Sequence, residues 1–129
     1  MAGKSDTELS RRERQIMDVV YAKGQASVAD VHQAMEDRPS YSSVRTLMRI
    51  LEEKGHLKHR EEGLKYIYFP TRSRDQASRS ATKRLLRTFF GGSAEQAVAA
   101  LIEVSGPSLD DEALGRLSKL IERARKEGR

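Results

Sequence analysis

The segment SYSSVRTLMRILEEKG, residues 40–55, combines hydroxyl and guanidinium side chains with the period of an amphipathic helix. At about 100° per residue, its apolar positions fall within one arc that must face a core. These positions are Val44, Leu47, Met48 and Leu51. The outward face carries Ser42, Thr46 and Arg49, flanked by Ser43 and Arg45. Small hydroxyls let a helix approach a groove floor closely, and Arg recognises guanine O6 and N7 or a phosphate. The pattern predicts a surface that reads DNA; the alternative is an ordinary solvated helix face.

The sequence offers little for catalysis or metal binding. It contains no cysteine, which excludes disulfides, zinc fingers and thiol catalysis. His56 and His59 lie three apart on a predicted strand, so they should point to opposite faces and cannot share a metal ion. No acid pair, glycine-rich phosphate loop or nucleophile motif stands out. We therefore expect no enzyme activity and no cofactor.

Length, composition and charge limit the classes of protein to which the chain can belong. The chain has 129 residues, of which 37% are apolar and 33% are charged, so its core must be modest. No apolar run approaches the ~18 residues of a membrane span, and the N-terminus lacks a signal-peptide core. These features predict a cytoplasmic protein that does not enter a membrane. The net charge of +5 falls mostly in residues 71–129, so DNA binding by the first half requires a local basic patch.

Three helices are predicted in the first half of the chain, after a flexible tail at residues 1–7. Ser10 begins the first with an S-R-R-E capping box, and Gly24 ends it. Ser27 caps a short second helix. Ser40 caps the third, which stops at Gly55. A short helix, a tight turn and a second helix with the polar face described above form a helix-turn-helix order.

A two-stranded hairpin is predicted directly after these helices. HLKHR and LKYIYFP have strand patterns, and EEG between them is predicted to be the turn. Residues 8–70 would then form a winged helix-turn-helix domain. Three hairpin cations and the cap of the second helix are added to the expected DNA contacts: Lys58, Arg60, Lys65 and Ser27. An acidic turn argues against deep entry into a minor groove, so the hairpin is assigned to phosphates.

The second half, residues 71–129, is predicted to be helical and to dimerise. Capping residues open helices at Ser73 and Ser93, and a last helix runs from about Asp111 to Lys126. Each helix has one apolar stripe; together the stripes comprise Leu85, Leu86, Phe89, Phe90, Val98, Leu101, Ile102, Leu114, Leu117 and Ile121. Three such helices cannot close a sizeable core alone, but six from two chains can. The alternative is a monomer that folds these helices onto its own first half.

The chain resembles the penicillinase-repressor family in several segments. LSRRERQIMDVVYAKGQASVADVHQAM is similar to its opening helices, and SYSSVRTLMRILEEKGHLKHR to its recognition helix and first wing strand. YIYFP followed by FFGGS resembles the second wing strand and the start of the dimer helices. The resemblance covers roughly residues 8–126. It implies a homodimeric winged-helix repressor on a palindromic promoter operator, read by Ser42, Ser43, Arg45, Thr46 and Arg49.

Two branches of that family carry features that differ here. Copper-sensing members end in a Cys-x-Cys cluster, which a chain without cysteine lacks. Members that respond to β-lactams are cut by a sensor protease at an Asn-Phe bond, and this chain has Ala100-Leu101 there. The resemblance thus implies a sensor protease as a partner. In this chain the protease would have to cut between Ala100 and Leu101 instead of between Asn and Phe. The competing function is a winged helix that binds proteins without specific DNA binding; the outer face of residues 42–49, which lacks aromatic anchors, argues against it.

Overall fold

A computed structural model of the chain describes residues 9–128 and contains the predicted order of elements. The helices of the first half are α1 (Arg11–Lys23), α2 (Val28–Ala34) and α3 (Tyr41–Glu53). The hairpin consists of β1 (Leu57–Glu62) and β2 (Lys65–Pro70). The second half contains α4 (Arg74–Phe89), α5 (Ala94–Ser105), a short 3-10 turn (Gly106–Ser108) and α6 (Asp111–Lys126). The mainly α fold with a small β-hairpin is confirmed, and the predicted tail at residues 1–7 lies outside the described residues.

Side-chain caps fix where the helices of the first half begin. The Oγ of Ser10 accepts from the N–H of Glu13, and the Glu13 carboxylate accepts from the N–H of Ser10. Ser27 and Asp30 exchange the same two bonds at the start of α2. Each pair satisfies amides that the helix leaves without internal partners. The predicted starts of α1 and α2 are confirmed.

The core of the first half lies between α1, α2, α3 and the hairpin. Val44, Met48 and Leu51 of α3 are fully buried, which confirms the predicted apolar arc. Leu47 is half-buried and packs against the same cluster. The arc packs into one contiguous core. The main members of this core are Ile16, Met17, Val20, Val28, Val31, Met35, Val44, Met48, Leu51, Leu57 and Tyr68. The opposite face of α3 is therefore left at the surface.

The predicted turn of the hairpin, residues 61–63, was wrong because it begins two residues too early. Glu62 pairs with Lys65, so the turn consists of Gly63 and Leu64, and Glu61 remains in β1. Gly63 has a φ of 63°, which suits the first position of a two-residue turn whose twist matches the strands. Local residue types suggested EEG, but the cross-strand register decided the position. The tip of the wing is thus Leu64, which is fully exposed, and the two acids lie along the strand.

Two compact units divide the chain inside α4, at residues 1–82 and 83–129. The first unit extends past the hairpin, because Arg74 at the start of α4 donates to the carbonyl of Tyr21 at 2.6 Å. Assignment of the second unit to dimerisation stays a prediction. Within residues 9–128, no helix is long and apolar enough to cross a membrane.

A partly buried ion pair ties the start of α1 to the end of α3. The Nζ of Lys54 lies 2.9 and 3.0 Å from the two carboxylate oxygens of Glu13, which is 3% exposed. Burial alone would raise the pKa of Glu13, but the N–H of Ser10 and the ammonium of Lys54 outweigh it, so this pKa lies below its usual value of 4.5. The pair fixes the C-terminal end of α3 relative to α1.

Replacing Glu13 with Gln is expected to lower the free energy of unfolding by about 1–3 kcal/mol at pH 7, because the ion pair with Lys54 is lost. The folded state lowers the pKa of Glu13, so the contribution is complete above the usual value and disappears as the pH falls through the folded-state value. Urea denaturation at pH 7 and pH 3 measures this difference. Glu36→Gln on the exposed surface is the control, expected within about 0.5 kcal/mol of the parent. An equal loss for Glu13→Gln at both pH values would contradict the assignment.

Candidate nucleic-acid interface

A surface groove runs between the start of α2, the outward face of α3 and the hairpin. Its walls contain six of the nine residues predicted to contact DNA: Ser27, Ser42, Arg45, Thr46, Arg49 and Lys65. The groove exists because α3 buries only its apolar arc, while the hairpin folds back beside it. The bridge between Ala26 and Tyr68, with N···O distances of 2.9 and 2.8 Å, holds the hairpin at the start of α2.

The two arginines of α3 differ in their surroundings. Arg45 is exposed and makes no hydrogen bond or ion pair within residues 9–128. Arg49 donates from Nη1 to Oε2 of Glu53 at 3.3 Å, and both side chains are more than 60% exposed. An exposed pair of this spacing contributes only about 0.3–0.5 kcal/mol. Arg49 can therefore exchange Glu53 for a base edge or a phosphate at little cost.

A cluster of hydroxyls occupies the N-terminal end of α3. The Oγ of Ser40 accepts from the N–H of Ser43 and donates to the Oγ of Ser43 at 2.9 Å. Ser42 and Thr46 are exposed and line the groove, whereas Ser43 is exposed but lies outside the groove lining. The hydroxyl-rich surface predicted for α3 is thus present, with Ser43 partly engaged in the cap.

Ser27 has a structural role at the groove edge. It is only 4% exposed, its Oγ accepts from the N–H of Asp30, and its own N–H donates to the Asp30 carboxylate. These two bonds lower the pKa of Asp30, and the bond from the Ser27 backbone has the larger effect. Direct DNA contact by Ser27 stays a prediction; the observed interactions fix the start of α2.

Only one of the three predicted cations of the hairpin lines the groove. Lys65 lines the groove, but Lys58 and Arg60 do not. Side chains alternate along a strand, so Lys58 and Arg60 share the face opposite His59. Arg60 also donates to Gln25 at 3.0 Å and pairs with Glu62 at 2.7 Å. Lys65 pairs with Glu62 across the hairpin and therefore shares this face, but it lies at the start of β2, next to the turn, where it reaches the groove.

Eight further residues, not predicted to contact DNA, also line the groove: Val28, Ala29, Tyr41, Glu52, His59, Leu64, Tyr66 and Tyr68. The imidazole of His59 stacks on Tyr66 with 4.0 Å between ring centroids and an interplanar angle of 13°. Burial, followed by the nearby Glu52 carboxylate, raises the pKa of Tyr68. The alternating aromatic residues of KYIYFP were the available signal: they place both tyrosines on one face.

The site is suited to binding an anionic surface. Two guanidinium groups and one ammonium line it, and Glu52 is its only carboxylate among the residues described. Within residues 9–128, no three His, Asp or Glu side chains are grouped to hold a metal ion. The chemistry available is phosphate and base recognition by hydrogen bonds and charge.

The chain matches the penicillinase repressor family over residues 9–123. It belongs to the penicillinase repressor family. The resemblance seen in the sequence is thereby confirmed over nearly the whole chain. Membership supports a DNA-binding transcriptional repressor, since the family comprises regulatory proteins and not enzymes.

Two further proteins are similar to this member of the penicillinase repressor family. A protein of Latilactobacillus sakei, described as an uncharacterized 16.5 kDa protein in the ptsI 3' region, is 28% identical over 110 residues, covering 84% of this chain and 75% of its own. A solved structure of Bordetella bronchiseptica BpsR, described in terms of regulation of DNA binding by 6-hydroxynicotinic acid, is 16% identical with a TM-score of 0.49. That likeness covers 94% of this chain and 78% of BpsR.

Proposed function

We propose that this protein represses transcription as a homodimer on a palindromic operator, with α3 of each protomer in the major groove. The observation that carries the proposal is the outward face of α3, where Arg45, Thr46 and Arg49 line a groove bounded by the hairpin. Arg and Thr supply contacts to base edges, and the cations supply contacts to phosphates. Lys65 lies where the hairpin can follow the backbone beside the groove.

The apolar surface of the second unit supports the homodimer. Among the described residues of 83–129, only Ala97 is buried. Phe89, Leu101 and Ile121 are 72%, 57% and 55% exposed. Covering apolar surface contributes about 25 cal/mol per Å², so a second copy of the same helices would gain by packing against it. A two-fold axis would match this surface with itself and pair two reading helices.

Selection of duplexes from a random-sequence pool, followed by footprinting, tests this function. We expect the selected site to contain two inverted half-sites separated by one helical turn or a multiple of it. Protection of a lone asymmetric half-site by monomers would contradict the proposal. Analytical ultracentrifugation of the protein with the selected duplex would count the bound chains directly.

A protein-interaction module is the second candidate, and one observation favours it. Tyr41 and Tyr66 are 48% and 46% exposed at the groove, and Leu64 is fully exposed at the hairpin tip. Tyrosine is a typical anchor of protein interfaces. A salt titration separates the candidates, because release of counterions makes DNA binding fall linearly with salt on a logarithmic scale. Binding to a protein partner with no measurable DNA affinity at low salt would favour the module.

We also propose that cleavage between Ala100 and Leu101 relieves repression. The bond lies within α5, where Ala100 is half-buried and Leu101 is more than half exposed. A cut there would remove α6 and part of α5, and with them much of the proposed dimer surface. In cells exposed to cell-wall antibiotics, intact-mass measurement is expected to find a fragment that ends at Ala100 as the target genes switch on. A repressor that stays full length during induction would contradict cleavage and indicate a ligand or partner that separates these helices.

A further inference from the structure

The tip of the hairpin carries a large apolar side chain that the fold does not use. Leu64 is fully exposed and lies outside the hydrophobic core cluster. The left-handed φ of the turn falls on Gly63 and not on Leu64, so the glycine supplies the turn geometry. Two-residue hairpin turns of this kind usually place Asn, Asp or Ser after the glycine. Neither the core nor the turn therefore accounts for a leucine at this position.

The surroundings of Leu64 link it to the outward face of α3. Leu64 lines the same groove as Arg45 and Arg49, the two guanidinium groups of that face. Nearer the base of the hairpin, the Nδ1 of His59 lies 2.8 Å from both carboxylate oxygens of Glu52, close to the C-terminal end of α3. The hairpin is thus fastened to α3 near its base, and its apolar tip continues the surface that α3 presents.

The length of the hairpin matches the spacing of the grooves of DNA. Leu64 follows His59 by five residues, and a strand advances about 3.3 Å per residue, so the tip lies up to about 17 Å from the contact with α3. One turn of B-DNA is about 34 Å long, so the centre of a minor groove lies about 17 Å along the axis from that of the major groove. With α3 in the major groove, the tip therefore reaches the adjacent minor groove.

The charges beside the tip do not prevent this approach. The carboxylate of Glu62 lies 2.7 Å from the guanidinium of Arg60, and Lys65 is its cross-strand partner, so cations offset it on two sides. Glu61 is one residue further from the tip and points to the other side of the strand, with Tyr66 opposite it. The objection to minor-groove entry depended on acids within the turn, and the turn contains none.

We propose that Leu64 is an apolar wedge that enters the minor groove beside α3 and inserts between two base pairs. Leucine is one of the side chains that proteins use in this way, and the insertion partly unstacks a base step and kinks the duplex. Pyrimidine–purine steps such as TA and CA/TG unstack most readily. Leu64 thereby adds a sequence preference about half a helical turn from the bases that α3 reads. This role rests on the proposed DNA-binding function.

Leu64→Ser and Leu64→Met test the wedge on a duplex that the parent protein selects from a random pool. Serine suits the turn but removes the apolar group, whereas methionine keeps it and belongs to the same class of wedge residues. In fluorescence anisotropy, Leu64→Ser is expected to bind the selected duplex about tenfold more weakly, because the apolar burial that is lost exceeds the cost of unstacking that is saved. Leu64→Met is expected to bind within about threefold of the parent.

Three readouts separate a wedge from a phosphate contact. The slope of affinity against salt is expected to stay unchanged in Leu64→Ser but to fall by about one unit in Lys65→Gln, which removes the neighbouring cation. 2-Aminopurine in place of adenine at the preferred step is expected to brighten when the parent or Leu64→Met binds, because the base loses its stacking, and to stay dark with Leu64→Ser. A second selection with Leu64→Ser is expected to lose the preference at that step alone.

The outcomes distinguish the wedge from the function on which it depends. Equal affinity of the parent and Leu64→Ser for the selected duplex, or 2-aminopurine that stays dark with the parent, would overturn the wedge and leave α3 as the reading helix. If circular dichroism shows that Leu64→Ser does not fold, Leu64→Ala decides by the same measurements. If the parent selects no duplex, the proposed function fails and the wedge fails with it.

Discussion

Replacing Ile121 with Asp is expected to lower operator affinity by about 10²- to 10⁴-fold while leaving binding to an isolated half-site unchanged. Ile121 lies on the apolar face of α6 and is 55% exposed in the single chain. A carboxylate in the proposed dimer surface would be desolvated without a partner, so the two chains would separate. Each chain would then bind one half-site without the effective concentration that its tethered partner provides. Analytical ultracentrifugation and binding to full and half operators measure both effects.

Lys119→Gln is the matched control for Ile121→Asp. It changes the charge of α6 by the same amount, at an exposed position about 140° around the helix from Leu114 and opposite the apolar stripe. The control protein should remain dimeric and bind the full operator as the parent does. A monomeric parent, or a dimeric Ile121→Asp with reduced affinity for half-sites, would show that the second unit serves another purpose.

Arg49→Ala is expected to reduce specific binding by about 1–3 kcal/mol and to relax the preference for the base at one operator position. Arg49 lies near the centre of the outward face of α3, and only an exposed pair with Glu53 competes for its guanidinium group. A bidentate contact to guanine is the interaction that its position favours. Selection of binding sites with the variant, compared position by position with the parent, measures the loss of preference.

Arg45→Ala is the counterpart that separates base reading from phosphate binding. Arg45 lies on the flank of the face and has no ion-pair partner within residues 9–128. Its loss should weaken specific and random DNA alike and reduce the slope of the salt dependence by about one unit. Equal effects of the two substitutions on specific and random duplexes would contradict the division of roles.

The sequence by itself determined the elements of the first half and the outward face of α3 that we propose reads DNA. The capping pairs Ser10 with Glu13 and Ser27 with Asp30 are three residues apart, so their geometry follows from the helix alone. The buried arc of α3 follows from the helical period in the same way. The family resemblance showed that the predicted order of elements matches a known winged-helix fold. The caps and the helical period depend on residues within about one or two turns of each other.

Tertiary structure alone decided which residues from different elements meet at the groove. Glu13 and Lys54 are 41 residues apart, and no local pattern predicts their ion pair. The register of β1 and β2 places the turn at Gly63 and Leu64. The packing of the hairpin against α3 brought His59 to Glu52 and directed Arg60 to Gln25. Spacing along the chain specifies which side of an element a residue occupies, but the faces that come together are set by the packing of the whole core.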